Sequence, residues 1–302
     1  MRIASLVPHA TELLFALGAG GDVLGVTHEC DHPPEVLELE RLTRDVLPPG
    51  LSAREIDEAV RERTLNGEAI YELDRVALGE IDPELIVTQA LCPVCAVSYE
   101  EVQEIARTLP SGPRVVALDP KTLGETLGDV STLGEATGRE REARELVESA
   151  AERIDAVVDA VAGADRPRVV AVEWLDPVFV AGHWTPQLIE LAGGQDVLGL
   201  AGEPSQELDW DTLGAAGAQV VVVMPCGYDA PRAHQEALAH RDRLAGLGAE
   251  RVVAVDASAY YSRPGPRLID GLELLAHILH PERVPAVPEG AEALGLQLTV
   301  PD

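Results

Sequence analysis

Cys92 and Cys95, in the stretch TQALCPVCAVS, are the sharpest chemical signal in the chain. Two thiols at Cys-x-x-Cys spacing can grip one metal ion or exchange as a dithiol. Nothing else in the sequence suggests a dithiol oxidoreductase, and buried structural thiols are the plain alternative. Cys30 and Cys226 also follow apolar runs that read as strands. Four soft ligands brought together, with His28 or His32 beside them, would suit zinc or an iron–sulfur cluster. Spacing alone does not make them converge. The loop Thr27–His28–Glu29–Cys30–Asp31–His32 concentrates two His, one Cys and two carboxylates in six residues.

A second set of residues points to a different kind of ligand. Aromatic residues make up only 3% of the chain, yet Trp184, Tyr228, Tyr260 and Tyr261 fall in loops. Scarce aromatics on loops suit the flat apolar surface of a large ligand, or else cover the ends of a core. Arg263 and Arg267 offer charge to an anionic group, or offset nearby carboxylates. Trp174 and Trp210 read as core, and His234, His240, His277 and His280 as structural. Gly18–Gly21 lacks the lysine and the spacing of a phosphate loop, and no Gly-x-Ser-x-Gly element is present. No catalytic residue is singled out.

These residues hang on alternating elements. Arg2 to Val7 reads as a strand closed by Pro8, followed by a helix over Thr11 to Leu17 and a strand over Val23 to Val26. Leu51 to Ala77 reads as helical. Strands at Leu85 to Thr88 and Arg114 to Leu118 alternate with helices at Tyr99 to Leu109 and Thr122 to Ala136. The apolar positions Ala143, Leu146, Val147, Ala150, Ile154, Val157, Val158 and Val161 form one stripe of a long central helix, Arg139 to Ala162. Such a helix spans on the order of 35 Å. In the second half, strands at Arg168 to Trp174, Gln219 to Met224 and Arg251 to Val255 are joined by a short extended piece, Pro177 to Ala181. Helices are expected at Gln187 to Ala192, Trp210 to Ala216, Arg232 to Leu244 and Leu268 to Leu279. The tail after Pro281 is expected along the surface.

The pattern predicts an α/β protein: two parallel-sheet lobes with helices on both faces, joined by one long central helix. The boundaries are an N-terminal lobe over 1–121, connecting helices over 122–164, and a C-terminal lobe with its tail over 165–302. Ligands of open parallel sheets bind beyond the carboxyl ends of the strands, where most of these loops fall.

Charge narrows the partners. The 52 acidic and 23 basic side chains leave a formal net charge of −29, which argues against nucleic acid and anionic membrane. Lys121 is the only lysine. A salt-rich cytoplasm and a GC-rich genome would each account for this balance. No apolar run approaches a membrane span, so no membrane insertion is expected. The opening MRIASLVPHATELLFALGAG has no charged segment followed by an uninterrupted apolar run. The expected location is therefore cytoplasmic, and extracytoplasmic if a leader has been removed.

The segments SLVPHATELLFALGAGGDVLGVTHECDHPPE and VFVAGHWTPQLIELAGG resemble the openings of the two lobes of the helical-backbone, class III, periplasmic-binding-protein family. With TQALCPVCAVS and MPCGYD, the chain resembles the cobalamin-binding branch. The resemblance implies non-catalytic binding of a corrinoid (cobalamin) or similar small-molecule metal chelate in an inter-lobe cleft, linked to ABC-type uptake. It implies that Pro8, His9, the loop carrying His28 and Glu29, Trp184, and Tyr260 to Arg263 line that cleft, and Tyr228 joins them as a candidate contact. The alternative is a cytoplasmic metal or iron–sulfur protein held by Cys30, Cys92, Cys95 and Cys226, with enzymatic activity left open.

Overall fold

A computed structural model describes residues 1–89 and 97–297, so Cys92 and Cys95 lie outside the described residues. The chain divides into two units. Unit 1 comprises Met1–Pro120 and Gly124–Glu148; unit 2 comprises Lys121–Leu123 and Ser149–Asp302.

In unit 1 the order is β1 (Ile3–Ser5), α1 (Pro8–Ala16), β2 (Val23–Val26), β3 (Glu40–Arg41), β4 (Thr43–Asp45), α2 (Ala53–Leu65), β5 (Tyr71–Leu73), α3 (Arg75–Ile81), β6 (Leu85–Gln89), α4 (Tyr99–Ala106), β7 (Arg114–Leu118) and α5 (Leu123–Thr137). The sheet runs β3-β2-β1-β6-β7, all parallel. Its central strands are continuous apolar runs because both faces are covered. Ile3, Leu85 and Val87 meet α1 and α5 on one face. Ala4 and Ile86 meet Leu78 of α3 and Val102 and Ile105 of α4 on the other.

Helix α6 (Glu140–Val161) is the expected central helix, and the division between units falls inside it. Most of its stripe is covered: Ala143, Leu146 and Val147 join the first unit's core, and Ala150, Val157 and Val161 are buried further along, but Val158, expected on the stripe, is exposed. A Cβ on Gly134 of α5 would stand 2.5 Å from the Cβ of Ala143, so the two helices approach this closely only because residue 134 has no side chain.

Unit 2 contains β8 (Arg168–Leu175), β9 (Val178–Val180), α7 (Thr185–Leu191), β10 (Gln195–Asp196), β11 (Gln206–Glu207), α8 (Trp210–Ala215), β12 (Val220–Val223), α9 (Ala230–Ala239), α10 (Arg241–Gly246), β13 (Arg251–Val255), α11 (Ala257–Tyr260), α12 (Leu268–Leu279) and β14 (Ala293–Gly295). Strands β10, β8, β12 and β13 make parallel pairs, while β9, β11 and β14 add antiparallel pairing toward the edges. Val170, Val172, Val221 and Val223 pack against α9 and α10. Val169 on the opposite face meets Ile189 of α7 and Leu279 of α12 around Gly194.

Several elements depart from the sequence reading for local reasons. Helix α1 begins at Pro8, not Thr11, because proline suits the first helical position, where its missing N–H costs nothing. The stretch Leu51 to Ala77 is not one helix. Asn66 and Gly67 turn the chain after α2, and Tyr71–Leu73 then pairs antiparallel with β4. The helix expected from Arg232 to Leu244 is broken at His240 into α9 and α10. The tail does not merely lie on the surface: Ala293–Gly295 pairs with β13 and covers that sheet edge.

Candidate functional site

The carboxyl ends of the strands carry the candidate residues, and each unit builds its own rim. In unit 1, β1 leads into Pro8 and His9. His9 is only 3% exposed, held in the first turn of α1. Cys30 is 2% exposed and belongs to the apolar core of the unit. Its sulfur lies 3.1 Å from the Thr11 hydroxyl, which donates to Ser5 Oγ at 2.8 Å. That environment is the one expected of a structural thiol.

The Thr27–Cys30 loop is fastened by residues the sequence reading did not single out. Thr43 Oγ1 meets Thr27 Oγ1 at 2.8 Å and His28 Nδ1 at 2.7 Å, and accepts from the His28 amide at 3.1 Å. Tyr71 donates to Glu29 Oε1 at 2.8 Å and stands edge-on to the His28 ring, 5.0 Å between centroids. Arg41 donates to the carbonyls of Thr27 and Cys30 at 3.1 and 2.9 Å. The only sequence signal for Tyr71 was its rarity, as one of five tyrosines. The result is a short loop whose backbone and two polar side chains are held by strands β3, β4 and β5.

A carboxylate cluster in unit 1 was also missed. Burial, with the charges of Asp119 and Glu125 adding to it, pushes the Asp129 carboxyl up to about 7. Its Oδ2 is buried without a hydrogen-bond partner. Among the described residues, no group of three His, Cys, Asp or Glu side chains is gathered closely enough to hold a metal ion.

In unit 2 the aromatic candidates are mostly spoken for within the fold. Trp184 is 6% exposed and its indole N–H donates to the Tyr261 carbonyl at 2.8 Å. Tyr261 is buried in turn and donates to the Gly271 carbonyl at 2.9 Å. Burial pushes the Tyr260 and Tyr261 hydroxyls upward, so both stay protonated as donors. Tyr228 is buried too, its carbonyl accepting from the Ala257 and Ser258 amides at 3.0 and 3.1 Å, its ring edge-on to Trp174 at 5.5 Å with the Arg232 guanidinium 3.6 Å over it. The structure thus joins Trp184 to Tyr261 and sets the Tyr228 ring edge-on to Trp174. Arg263 and Arg267 are half-buried in the loop that follows.

Cys226 differs from Cys30: it is exposed, just beyond β12. Its amide donates to the Glu173 carbonyl at 3.1 Å, and the next amide, Gly227, donates to Ser262 Oγ at 3.2 Å. Glu173, at the end of β8, is a rim carboxyl that the sequence reading did not single out. Burial raises its pKa, against hydrogen bonds from the Ser205 hydroxyl, at 2.6 Å, and the Gly182 amide. Among the described residues, no helix is long and apolar enough to cross a membrane.

Comparisons with known proteins agree with this architecture. The family model described as "Periplasmic binding protein" matches residues 3–252. A "Vitamin B12-binding protein" of Vibrio cholerae is 23% identical over 279 residues, covering 90% of this chain and 86% of that one. An "Uncharacterized ABC transporter substrate-binding lipoprotein YvrC" of Bacillus subtilis is 23% identical, covering 93% of this chain and 80% of its own. Among solved structures, a periplasmic heme-binding protein from Pseudomonas aeruginosa superposes with a TM-score of 0.69 at 19% identity, covering 97% of this chain and 94% of that one. The periplasmic vitamin B12-binding protein BtuF of Vibrio cholerae superposes with a TM-score of 0.65 at 21% identity, covering 92% and 96%. With two α/β units, a 22-residue helix running from one into the other, and a family match over most of its length, this chain belongs to the periplasmic-binding-protein family.

Proposed function

We propose that the protein binds a corrinoid-type metal chelate, without catalysing a reaction on it, and presents it to an ABC-type importer. One observation carries this: the similarity to a protein named for vitamin B12 binding extends along nine-tenths of the chain. The likeness to heme-binding proteins is one of fold. The loops support a binder, since rim residues are fixed by hydrogen bonds before any ligand arrives, which lowers the ordering cost of binding. His28 and Glu29 are the proposed contacts on the rim of unit 1, and Pro8 and His9, at the start of α1, are proposed with them. On unit 2, Arg263 is the proposed polar contact, while Trp184, Tyr228, Tyr260 and Tyr261 shape the surface from below.

Relatives named by compartment are periplasmic proteins or a lipoprotein. This favours an extracytoplasmic place of work over the cytoplasmic one expected from the sequence. Zinc and iron–sulfur ligation draw no support from the relatives or from the described residues. The reading is tested by titrating the protein with cyanocobalamin and, separately, with ferric haem, following absorbance. Saturable one-to-one binding of the corrinoid is the expected result. Haem binding alone would keep the class of planar chelates and replace the ligand. Binding of neither would sink the reading, and an iron–sulfur absorption band in the protein as purified would replace it with the cysteine alternative.

A further inference from the structure

Glu173, near the carboxyl end of β8, is the point where the loops of the unit-2 rim are tied together. Its carboxyl accepts from the Ser205 hydroxyl at 2.6 Å and from the Gly182 amide, and its carbonyl accepts from the Cys226 amide at 3.1 Å. These partners come from three different connections. Gly182 lies in the turn between β9 and α7, Ser205 in the segment before β11, and Cys226 in the loop after β12. The ties continue from one loop to the next. Two residues beyond Gly182, the Trp184 indole donates to the Tyr261 carbonyl at 2.8 Å. The next residue, Ser262, accepts from the Gly227 amide at 3.2 Å. Gly227 follows Cys226, whose amide returns to Glu173. Hydrogen bonds and short steps of chain thus close a circuit through the loops after β9, β13 and β12, and Glu173 enters it with both side chain and backbone.

The turn that Glu173 holds is not one the chain adopts unaided. His183 has a φ of +51°, a left-handed conformation that a non-glycine residue keeps only where its surroundings force it. Its amide donates to the Glu203 carbonyl at 2.7 Å, and its carbonyl accepts from the Gly202 amide at 2.9 Å. Gly182 lies against the 203–205 backbone, where a Cβ would collide with the Glu203 oxygen. The Glu173 carboxyl clamps both sides of this contact, holding Gly182 on one and Ser205 on the other. Burial raises its pKa, against those two hydrogen bonds. A carboxyl that keeps its proton donates through one oxygen and accepts through the other, as a glutamine amide does.

We infer that Glu173 is a positioning residue for the ligand: it fixes the β9–α7 turn that carries Trp184 and, through Trp184, the loop that carries Tyr261 and Arg263. This rests on the chelate-binding reading above, in which those residues form the surface of unit 2. Glu173 acts through the turn and needs no contact with the ligand. Without its carboxyl, the Gly182 amide and the Ser205 hydroxyl lose their shared partner, and the turn is no longer clamped to the 202–205 segment. Binding then carries the cost of ordering these loops.

The test compares Glu173→Gln, Glu173→Ala and Ser205→Ala in cyanocobalamin titrations, at a temperature where each variant is folded. In parallel, hydrogen exchange of the Trp184 indole N–H is followed by NMR on protein carrying 15N-tryptophan, with the signal assigned by Trp184→Phe. Glutamine keeps a donor and an acceptor at the same reach, so Glu173→Gln should bind within about twofold of wild type and protect the indole equally. Glu173→Ala should weaken affinity and speed indole exchange, each about tenfold. Ser205→Ala leaves Gly182 held and should fall between the two. Where wild type binds, unchanged affinity and exchange in Glu173→Ala overturn the inference and leave the binding reading standing. Equal losses in Glu173→Gln and Glu173→Ala also overturn it, because the hydrogen bonds would then not be what matters. If Glu173→Ala does not fold, Ser205→Ala decides: weakened affinity with faster exchange supports the inference, and unchanged values refute it. Wild-type protein that binds neither cyanocobalamin nor ferric haem removes the binding reading itself, and the positioning role with it.

Discussion

Glu29 points where it does because Tyr71 donates to it from 42 residues further along the chain. Removing that one hydroxyl tests whether the loop is a binding surface. Tyr71→Phe keeps the ring against His28 and loses only the hydrogen bond, so corrinoid affinity should weaken about 3- to 10-fold with little change in melting temperature. Isothermal titration with cyanocobalamin measures it, and unchanged affinity would remove Glu29 from the site. Asp129 makes a prediction about stability. Its carboxyl titrates at about 7 in the folded protein, raised first by burial and then by Asp119 and Glu125, against about 4 in an unfolded chain. Between those values the unfolded state has released a proton that the folded state keeps, so folding loses stability as pH rises from about 4 to about 7. The cost is complete above that window and absent below it. Allowing for partial exposure and solvent screening, it is about 1–2 kcal/mol. Asp129→Asn should therefore melt higher than wild type at pH 8 and alike near pH 4. A constant difference across that range would count against the assigned titration.

Helices α6 and α12 are joined by a fork. Arg153 donates to Asp270 at 2.6 Å and to Glu273 at 2.8 Å. The hydrogen bond to Glu273, then that to Asp270, raises the guanidinium pKa, with burial opposing. One arginine serving two carboxylates a turn apart is better organised than an isolated surface pair. The three side chains remain partly exposed, which keeps the value small. Arg153→Met, which retains the apolar stem, should lower the unfolding free energy by about 1 kcal/mol in urea at low salt. Arg153→Lys should recover only part of it, because an ammonium lacks the planar fork. Full recovery by lysine would show that charge alone mattered.

The formal charge of −29 acts on the molecule as a whole. Like charges at this density repel and oppose the compact state. Raising salt from about 0.1 M to about 1 M shortens the screening length from about 10 Å to about 3 Å. The melting temperature should therefore rise with potassium chloride at pH 7, and the rise should shrink at pH 4, where many carboxylates are protonated. A melting temperature indifferent to salt would show that the exposed basic side chains already neutralise the field locally.

What the sequence determined by itself was periodic. Valine-rich runs such as Val220–Val223, the stripe of α6, and the alternation of strand with helix are all local patterns that burial must satisfy, and they yielded two α/β units with a connecting helix. They also placed the Thr27–Cys30 loop and Trp184 among the candidates. Tertiary structure decided which of those residues remain available. Cys30 and Cys226 look alike in sequence, yet one is in a core and the other is exposed, because sheet packing sets the exposure of a loop. Thr43 and Tyr71 reach the His28 loop only through the strands beside it, and Glu173 meets Ser205 across 32 residues. The left-handed turn at His183 depends on the 202–205 backbone lying against it, and no periodicity encodes that contact. Hydrophobic period records which face of an element is buried; which polar groups meet across elements is settled only when the sheet forms.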